Sequence, residues 1–328
     1  IRWLLRLLSR PARDGSTPLE RMLRSYRKPN APSSHKFIYW PMHKLMDQLV
    51  SAEGWENFRR RDKQFGATVR GVNIVTRSIA QFGLTVPQKF VAPLMIVWNF
   101  TNRCNLKCNH CYQDSEHNCL DDELTLEEKL NLIDQMGRLN VPMLAISGGE
   151  PTLSKDLIPV IRRARKYEMH LSLATNGTTL TPRYCAELRD AGLRYVEISL
   201  DSVDAAQHDA FRGIPGMWEK AVAGARNVVA TEGLRLGVAM CVHQGNYREV
   251  PDMLHFAEHE LRAGCFAHFN FIPVGRGLKM VSGDITPRQR EELLSLLNEK
   301  MQENTIGVIS TAPQLGRVCL AGAALDEG

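Results

Sequence analysis

Three cysteines fall within eight residues in the stretch Cys104-Asn-Leu-Lys-Cys108-Asn-His-Cys111. Thiolates are the usual protein ligands of iron–sulfur clusters, and so tight a loop can bring three sulfurs to one face of a cubane. A cubane has four irons, so three local ligands leave one iron open to a small molecule. A zinc knot is the competing reading. Zinc wants a fourth Cys or His at comparable spacing, and the loop offers only His110, which lies inside it.

Four more motifs each follow an apolar stretch. Ser147-Gly148-Gly149-Glu150-Pro151 offers two glycines for a turn that exposes backbone groups to a ligand. Ala174-Thr-Asn176-Gly177 is an Asn-Gly turn at a strand end. In Glu197-Ile-Ser199-Leu-Asp201, alternation sets Glu197, Ser199 and Asp201 on one face. Polar groups on an inner face need partners or cost free energy. Phe271-Ile272-Pro273-Val-Gly275-Arg276-Gly277 gives an apolar wall for a flat ring, with Arg276 suited to an anionic substrate or to solvent. There is no P-loop, no Ser-His-Asp context and no nicotinamide fingerprint. His243, His255, His259 and His268 read as surface or core residues, and the scattered cysteines mostly as apolar filler.

Taken together, these motifs resemble the radical SAM superfamily over residues 93 to 305 or so. The resemblance implies a 4Fe–4S cluster on Cys104, Cys108 and Cys111, with S-adenosylmethionine (SAM) on the open iron. It implies reductive cleavage of SAM to methionine and a 5′-deoxyadenosyl radical that abstracts hydrogen from a substrate. His110, Gly148, Gly149, Glu150, Asn176, Ser199, Asp201, Arg212, Ile272 and Pro273 match its cofactor-binding positions. Among them, Gly148 to Glu150 would meet the SAM amino group, and Ser199 and Arg212 its ribose and carboxylate. The resemblance is to maturases that modify peptides or build alternative-haem and quinone cofactors. It therefore implies a peptide or cofactor-precursor substrate and a low-potential electron donor of flavodoxin or ferredoxin type. Arg317-Val-Cys319-Leu-Ala-Gly322 resembles the opening of a SPASM-type extension, which binds auxiliary clusters. A molybdopterin-type nucleotide cyclase of the same superfamily is one alternative. A non-catalytic electron-transfer protein is another, but it needs four protein ligands and leaves the glycine turn, Ser199 and Arg212 unexplained.

Strand and helix signals alternate after residue 89. Six strands are expected: one entering the cysteine loop, then Leu144–Ile146, His170–Thr175, Tyr195–Leu200, Leu236–Val242 and Ala267–Ile272. Thr125 with Glu128, Asp204 with Gln207, Thr181-Pro182 and Thr286-Pro287 mark helix starts. Alternating βα units predict a parallel sheet, either doubly wound or a partial barrel. The resemblance implies the second, an α/β open (β/α)6 partial TIM barrel with a mostly helical N-terminal extension. The expected divisions are 1–92 for that basic extension, 93–305 for the core, and 306–328 for the start of a C-terminal extension.

Eight cysteines in 328 residues are too sparse for a secreted disulfide scaffold and fit a reducing cytoplasm. No apolar run is long enough for a transmembrane helix. Starting at Ile1 rather than Met, the sequence reads as a piece of a longer protein. Residues 1–92 hold 17 Lys and Arg against 6 Asp and Glu, while the chain's net charge is +5. The basic front suits a solvated helical surface better than nucleic acid, since no nucleic-acid-binding pattern accompanies it. Pro29, Pro32, Ser33 and Ser34 predict a linker there, and Trp40, Met42, Leu45, Met46 and Leu49 a buried stripe.

Overall fold

Seven short strands carry the chemistry-bearing loops. The computed structural model describes residues 2–10, 12, 16–26, 39–49 and 65–326. The predicted linker with Pro29, Pro32, Ser33 and Ser34 lies outside the described residues, as do the side chains of Leu45, Met46 and Leu49. The strands are β1 (Met95–Asn99), β2 (Met143–Ser147), β3 (His170–Thr175), β4 (Tyr195–Ser199), β5 (Arg235–Val242), β6 (Cys265–Asn270) and β7 (Gly307–Ser310). Each is bonded to its sequence neighbour, in the order β1-β2-β3-β4-β5-β6-β7, and all run parallel. A doubly wound sheet reverses its order at a switch point. This sheet never reverses, so the fold is the open (β/α) partial barrel. Beyond the six expected strands stands a seventh, β7. Its four residues, two of them exposed, are too few to show a period.

Contacts group the chain into two compact units. One comprises Ile1–Ile96, Glu127–Leu144 and Arg163–His170. Four of its arginines bond inside it. Arg2 and Arg6 donate to the Gln81 (3.1 Å) and Ala80 (3.2 Å) carbonyls, at the end of helix Phe65–Phe82 where backbone acceptors lack partners. Arg70 donates to the carbonyls of Gly137 (2.8 Å) and Val141 (3.2 Å). Arg24 pairs with Glu20 at 3.1 Å and with Glu168. Met42 packs on the cluster of Leu19, Met22 and Tyr39, but Trp40, expected inside, is exposed. Helix Leu126–Arg138 buries Lys129, Ile133, Met136 and Gly137, while Leu126 and Leu139 are exposed.

The other unit comprises Val97–Leu126, Ala145–Arg162 and Leu171–Gly328. On one face of its strands, Val196, Ile198, Val238, Met240 and Phe266 are fully buried. Each such side chain contributes about 1.5–3 kcal/mol relative to leaving it exposed. Helix Met217–Ala230 packs on β4 and β5, and helix Pro287–Glu303 on β7. On the opposite face, the register sets Ala174, Glu197, Gly237, Cys265 and Gly307 in one row, and Ser199, Ala239, Ala267 and Ile309 in the next. The Tyr195 hydroxyl lies over Gly237, and Ala239 and Ala267 are buried. Thr181 and Thr286 cap their helices as expected, Thr286 in a full capping box with Gln289. Asp204 accepts the N–H of Gln207. Among the described residues no helix is long and apolar enough to cross a membrane.

Among the groups that give folding a pH dependence are two histidines of this unit, His208 and His268. His268 is fully buried with Nδ1 2.8 Å from Ser310 Oγ, and burial, aided by Arg290, pushes it down to about 4. His208 is 2% exposed and accepts the Asp201 N–H on Nδ1 at 3.2 Å. Burial, then Arg212, pushes it down to about 4. A folded-state pKa below the unfolded value of about 6.5 gives stability present above that value and lost as pH falls. Urea unfolding of the apoprotein should therefore weaken between pH 6.5 and 4, by up to about 1.4 kcal/mol per pH unit for each histidine. H268Q should flatten that fall, and an unchanged slope would contradict the assignment.

Candidate active site

The three cysteines sit in an irregular loop after β1, with Cys104 and Cys108 buried and Cys111 half-buried. Each sulfur receives one N–H donor. Leu106 N–H reaches Cys104 Sγ at 3.4 Å, Ser115 N–H reaches Cys111 Sγ at 3.4 Å, and Arg212 Nη1 reaches Cys108 Sγ at 3.7 Å. Burial pushes the Cys104 thiol up to about 11. It also pushes Cys108 up, against the opposing pull of Arg212. Metal binding must therefore displace these thiol protons. Ligands of one tetrahedral zinc lie roughly 3.8 Å apart, from a Zn–S bond of about 2.3 Å. Among the described residues no three His, Cys, Asp or Glu side chains are grouped to hold one ion. Three thiols in one loop, each with an N–H donor, are a donor set that fits an iron–sulfur cluster.

The loop has no ladder of its own and is held by neighbouring strand ends. Cys104 N–H donates to Glu116 O at 2.6 Å, and Glu123 accepts the Thr101 hydroxyl and the Asn102 N–H (2.7 Å). From the β2 turn, Gly149 N–H donates to Thr101 O (2.7 Å) and Glu150 N–H to Arg103 O (2.8 Å). Gly148 has φ +129°, and a Cβ there would meet Thr101 O at 2.6 Å; one on Gly149 would meet Arg103 O at 2.4 Å. Only glycine allows this approach of two backbones. The Glu150 side chain is fully buried, and burial raises its pKa. Its oxygens accept from Thr175 Oγ1 (2.7 Å), Asn176 N (2.7 Å), Thr152 N (3.1 Å) and Thr152 Oγ1 (2.5 Å). This carboxylate ties β2 to β3 and points to no ligand.

Asn176, at the end of β3, donates to Asn105 Oδ1 at 2.8 Å and accepts from Thr178 N (3.0 Å) and Thr178 Oγ1 (2.7 Å). Asn105, inside the cysteine loop, donates in turn to Thr178 Oγ1 at 2.9 Å. Asp201 is 1% exposed. It accepts from Arg212 Nε at 2.6 Å and from Cys241 N at 2.9 Å. Burial alone would raise its pKa, but Arg212, with the Cys241 N–H, holds it below the usual carboxylate range. Arg212, expected to grip an external carboxylate with both prongs, has Nε and Nη1 committed to Asp201 and Cys108. Its carbonyl also accepts the Lys107 N–H at 3.2 Å.

Other predicted residues keep freer surfaces. Ser199 is half-buried in the open row of β4 and makes no side-chain hydrogen bond among the described residues. Ile272 is exposed and Pro273 half-buried after β6. His110 stacks on Phe211 (4.1 Å between centroids), which stacks on His243 (4.4 Å). Burial, then Arg212, pushes His110 down to about 3, and its Nδ1 is enclosed without a partner.

Arg276 departs from both expectations, the anionic substrate and the solvent. Its side chain donates to Cys108 O, Asp114 Oδ1 and Ser115 O, each at 2.8 Å, and its N–H to Cys111 O at 3.0 Å. Glu123 and the Phe211–His243 stack were not legible, since neither belongs to a motif, and Asn105 stands in the cysteine motif only at a spacer position. His255 and His259, one helical turn apart with ring centroids 4.5 Å apart, also form a pair. Of the scattered cysteines only Cys185 is buried; Cys119 is exposed, and Cys319 is half-buried in helix Leu315–Asp326.

A family model described as the Radical SAM superfamily matches residues 98–257. The Fe-coproporphyrin III synthase of Methanosarcina barkeri is 35% identical over 64% of this chain and 52% of its own length. The AdoMet-dependent heme synthase of the same organism is 34% identical over 69% of this chain and 64% of its own length. The chain thus spans between half and two thirds of these relatives. Among solved structures, Streptococcus suis SuiB bound to its precursor peptide SuiA superposes with a TM-score of 0.61 at 14% identity, covering 92% of this chain and 68% of SuiB. That likeness is one of fold.

The backbone approach at Gly149 gives a direct test. G149A places a methyl 2.4 Å from Arg103 O and should cost about 1–3 kcal/mol of stability. Iron bound per chain after anaerobic reconstitution should fall several-fold. G316A, whose methyl meets nothing within 4 Å, should load like the wild type. Equal loading by G149A would mean that the turn does not position the loop.

Proposed function

Because the chain carries a radical SAM superfamily domain, we propose that it holds a 4Fe–4S cluster on Cys104, Cys108 and Cys111 and uses SAM to abstract hydrogen from a cofactor precursor. The observation that carries this reading is the loop itself: three thiols within eight residues, each with one N–H donor. When bound, the reduced cluster supplies the electron that cleaves SAM to methionine and a 5′-deoxyadenosyl radical. A low-potential flavodoxin or ferredoxin type of protein would deliver that electron.

The chain's own residues bind and orient. The Gly148–Gly149 backbone and the Ser199 hydroxyl line the SAM side, and Ser199 has a free hydrogen-bonding capacity to offer. Ile272 and Pro273 provide an apolar wall for adenine. Glu150, Asn176, Asp201 and Arg276 hold these groups in place through the bonds described above, which fixes geometry before the ligand arrives. An iron tetrapyrrole is the favoured substrate class, since the relatives at 34–35% identity are named for coproporphyrin and heme synthesis. A peptide is the second candidate, and Cys319 would then open an auxiliary-cluster extension.

The test is anaerobic. Reconstituted, reduced wild-type protein given SAM should release 5′-deoxyadenosine, and C108A should release none. Adding Fe-coproporphyrin III should raise the yield in the wild type. A wild type that loads iron yet never cleaves SAM would turn the assignment toward electron transfer.

A further inference from the structure

We propose that the buried Asp201–Arg212 pair sets the reduction potential of the cluster, Arg212 acting on the Cys108 thiolate and Asp201 as its counter-charge. The inference rests on the cluster reading above and goes beyond it. Cys104 and Cys111 receive backbone N–H groups, which are neutral. Cys108 alone receives a guanidinium, at 3.7 Å. Taking up one electron increases the negative charge spread over the cluster and its thiolates. A cation that donates to one of those sulfurs favours the reduced form and so raises the potential.

Two features make this effect large and fixed. The Arg212 and Asp201 side chains are only 10% and 1% exposed, so water and salt screen them little. The guanidinium also cannot swing freely. Asp201 holds Nε at 2.6 Å while accepting the Cys241 N–H at 2.9 Å, and the Arg212 carbonyl accepts the Lys107 N–H at 3.2 Å. Strand β5, the helix Ala205–Arg212 and the cysteine loop thereby meet at one ion pair. Arg212 is a positioning residue in this role, distinct from any contact that its remaining Nη2 makes with SAM.

The experiment is a redox titration without SAM, following the spin-resonance signal of the reduced cluster against a low-potential reductant. The proteins are wild type, R212M, R212K and D201N, each first assayed for iron per chain. R212M should shift the midpoint to more negative potential, R212K should shift it less, and D201N should shift it to more positive potential. Opposite signs from the two halves of one pair are the signature, because a merely structural pair would perturb both in the same sense. Unchanged midpoints, or shifts of the same sign, overturn the proposal. If R212M does not hold iron, D201N decides: a positive shift sustains the proposal, and any other result overturns it. Loss of iron from both variants overturns it in favour of a structural pair. Failure of the wild type itself to load iron would instead strike the cluster reading on which this one rests.

Discussion

The cysteine loop has no regular structure, so the positions of its sulfurs are set by groups outside it. This is the constraint on which the rest of the unit depends. A ligand loop that could wander would lose affinity with every degree of freedom it kept, since ordering it on binding costs roughly 1–2 kcal/mol per residue. Here the cost is met during folding. The β2 turn enters through Gly149 and Glu150, the β3 end through Asn176, the β4 segment through Arg212, and the segment after β6 through Arg276. Gly149, Glu150 and Asn176 follow directly on the carboxyl ends of β2 and β3, where such sheets place their chemistry, while Arg212 ends the helix after β4 and Arg276 lies beyond β6.

Burial shapes the electrostatics of the same site. It holds the Cys104 and Cys108 thiols protonated in the metal-free chain and keeps His110 neutral in its stack. Asp201 stays ionised only because Arg212 and its other partners outweigh the desolvation. Removing one member of such a pair costs about 3–5 kcal/mol, because the other is left buried and unpaired. Among the described residues the site therefore combines a buried ion pair, Asp201 with Arg212, with several groups whose charge depends on what binds.

Much of this was legible in the sequence. The apolar alternation gave β3 to β6 to within two residues, and Thr181 and Thr286 cap as their dipeptides predict. The Cys triplet and the Gly-Gly turn mark the site because backbone and spacing constraints are local. Long side chains were less legible. Glu150 and Arg276 look from sequence like ligand contacts, yet both are consumed by partners in the fold, and those partners are set by tertiary packing. The strand β7 was missed and the exposed Trp40 misjudged for a related reason: short or irregular apolar patterns fix no face.

The central claim is that three protein thiolates leave one iron of a cubane open. Mössbauer spectroscopy of the protein reconstituted with iron-57 measures this directly. The account predicts that adding SAM changes the isomer shift of one iron in four and leaves the other three unmoved. Four irons that respond identically, or not at all, would contradict it.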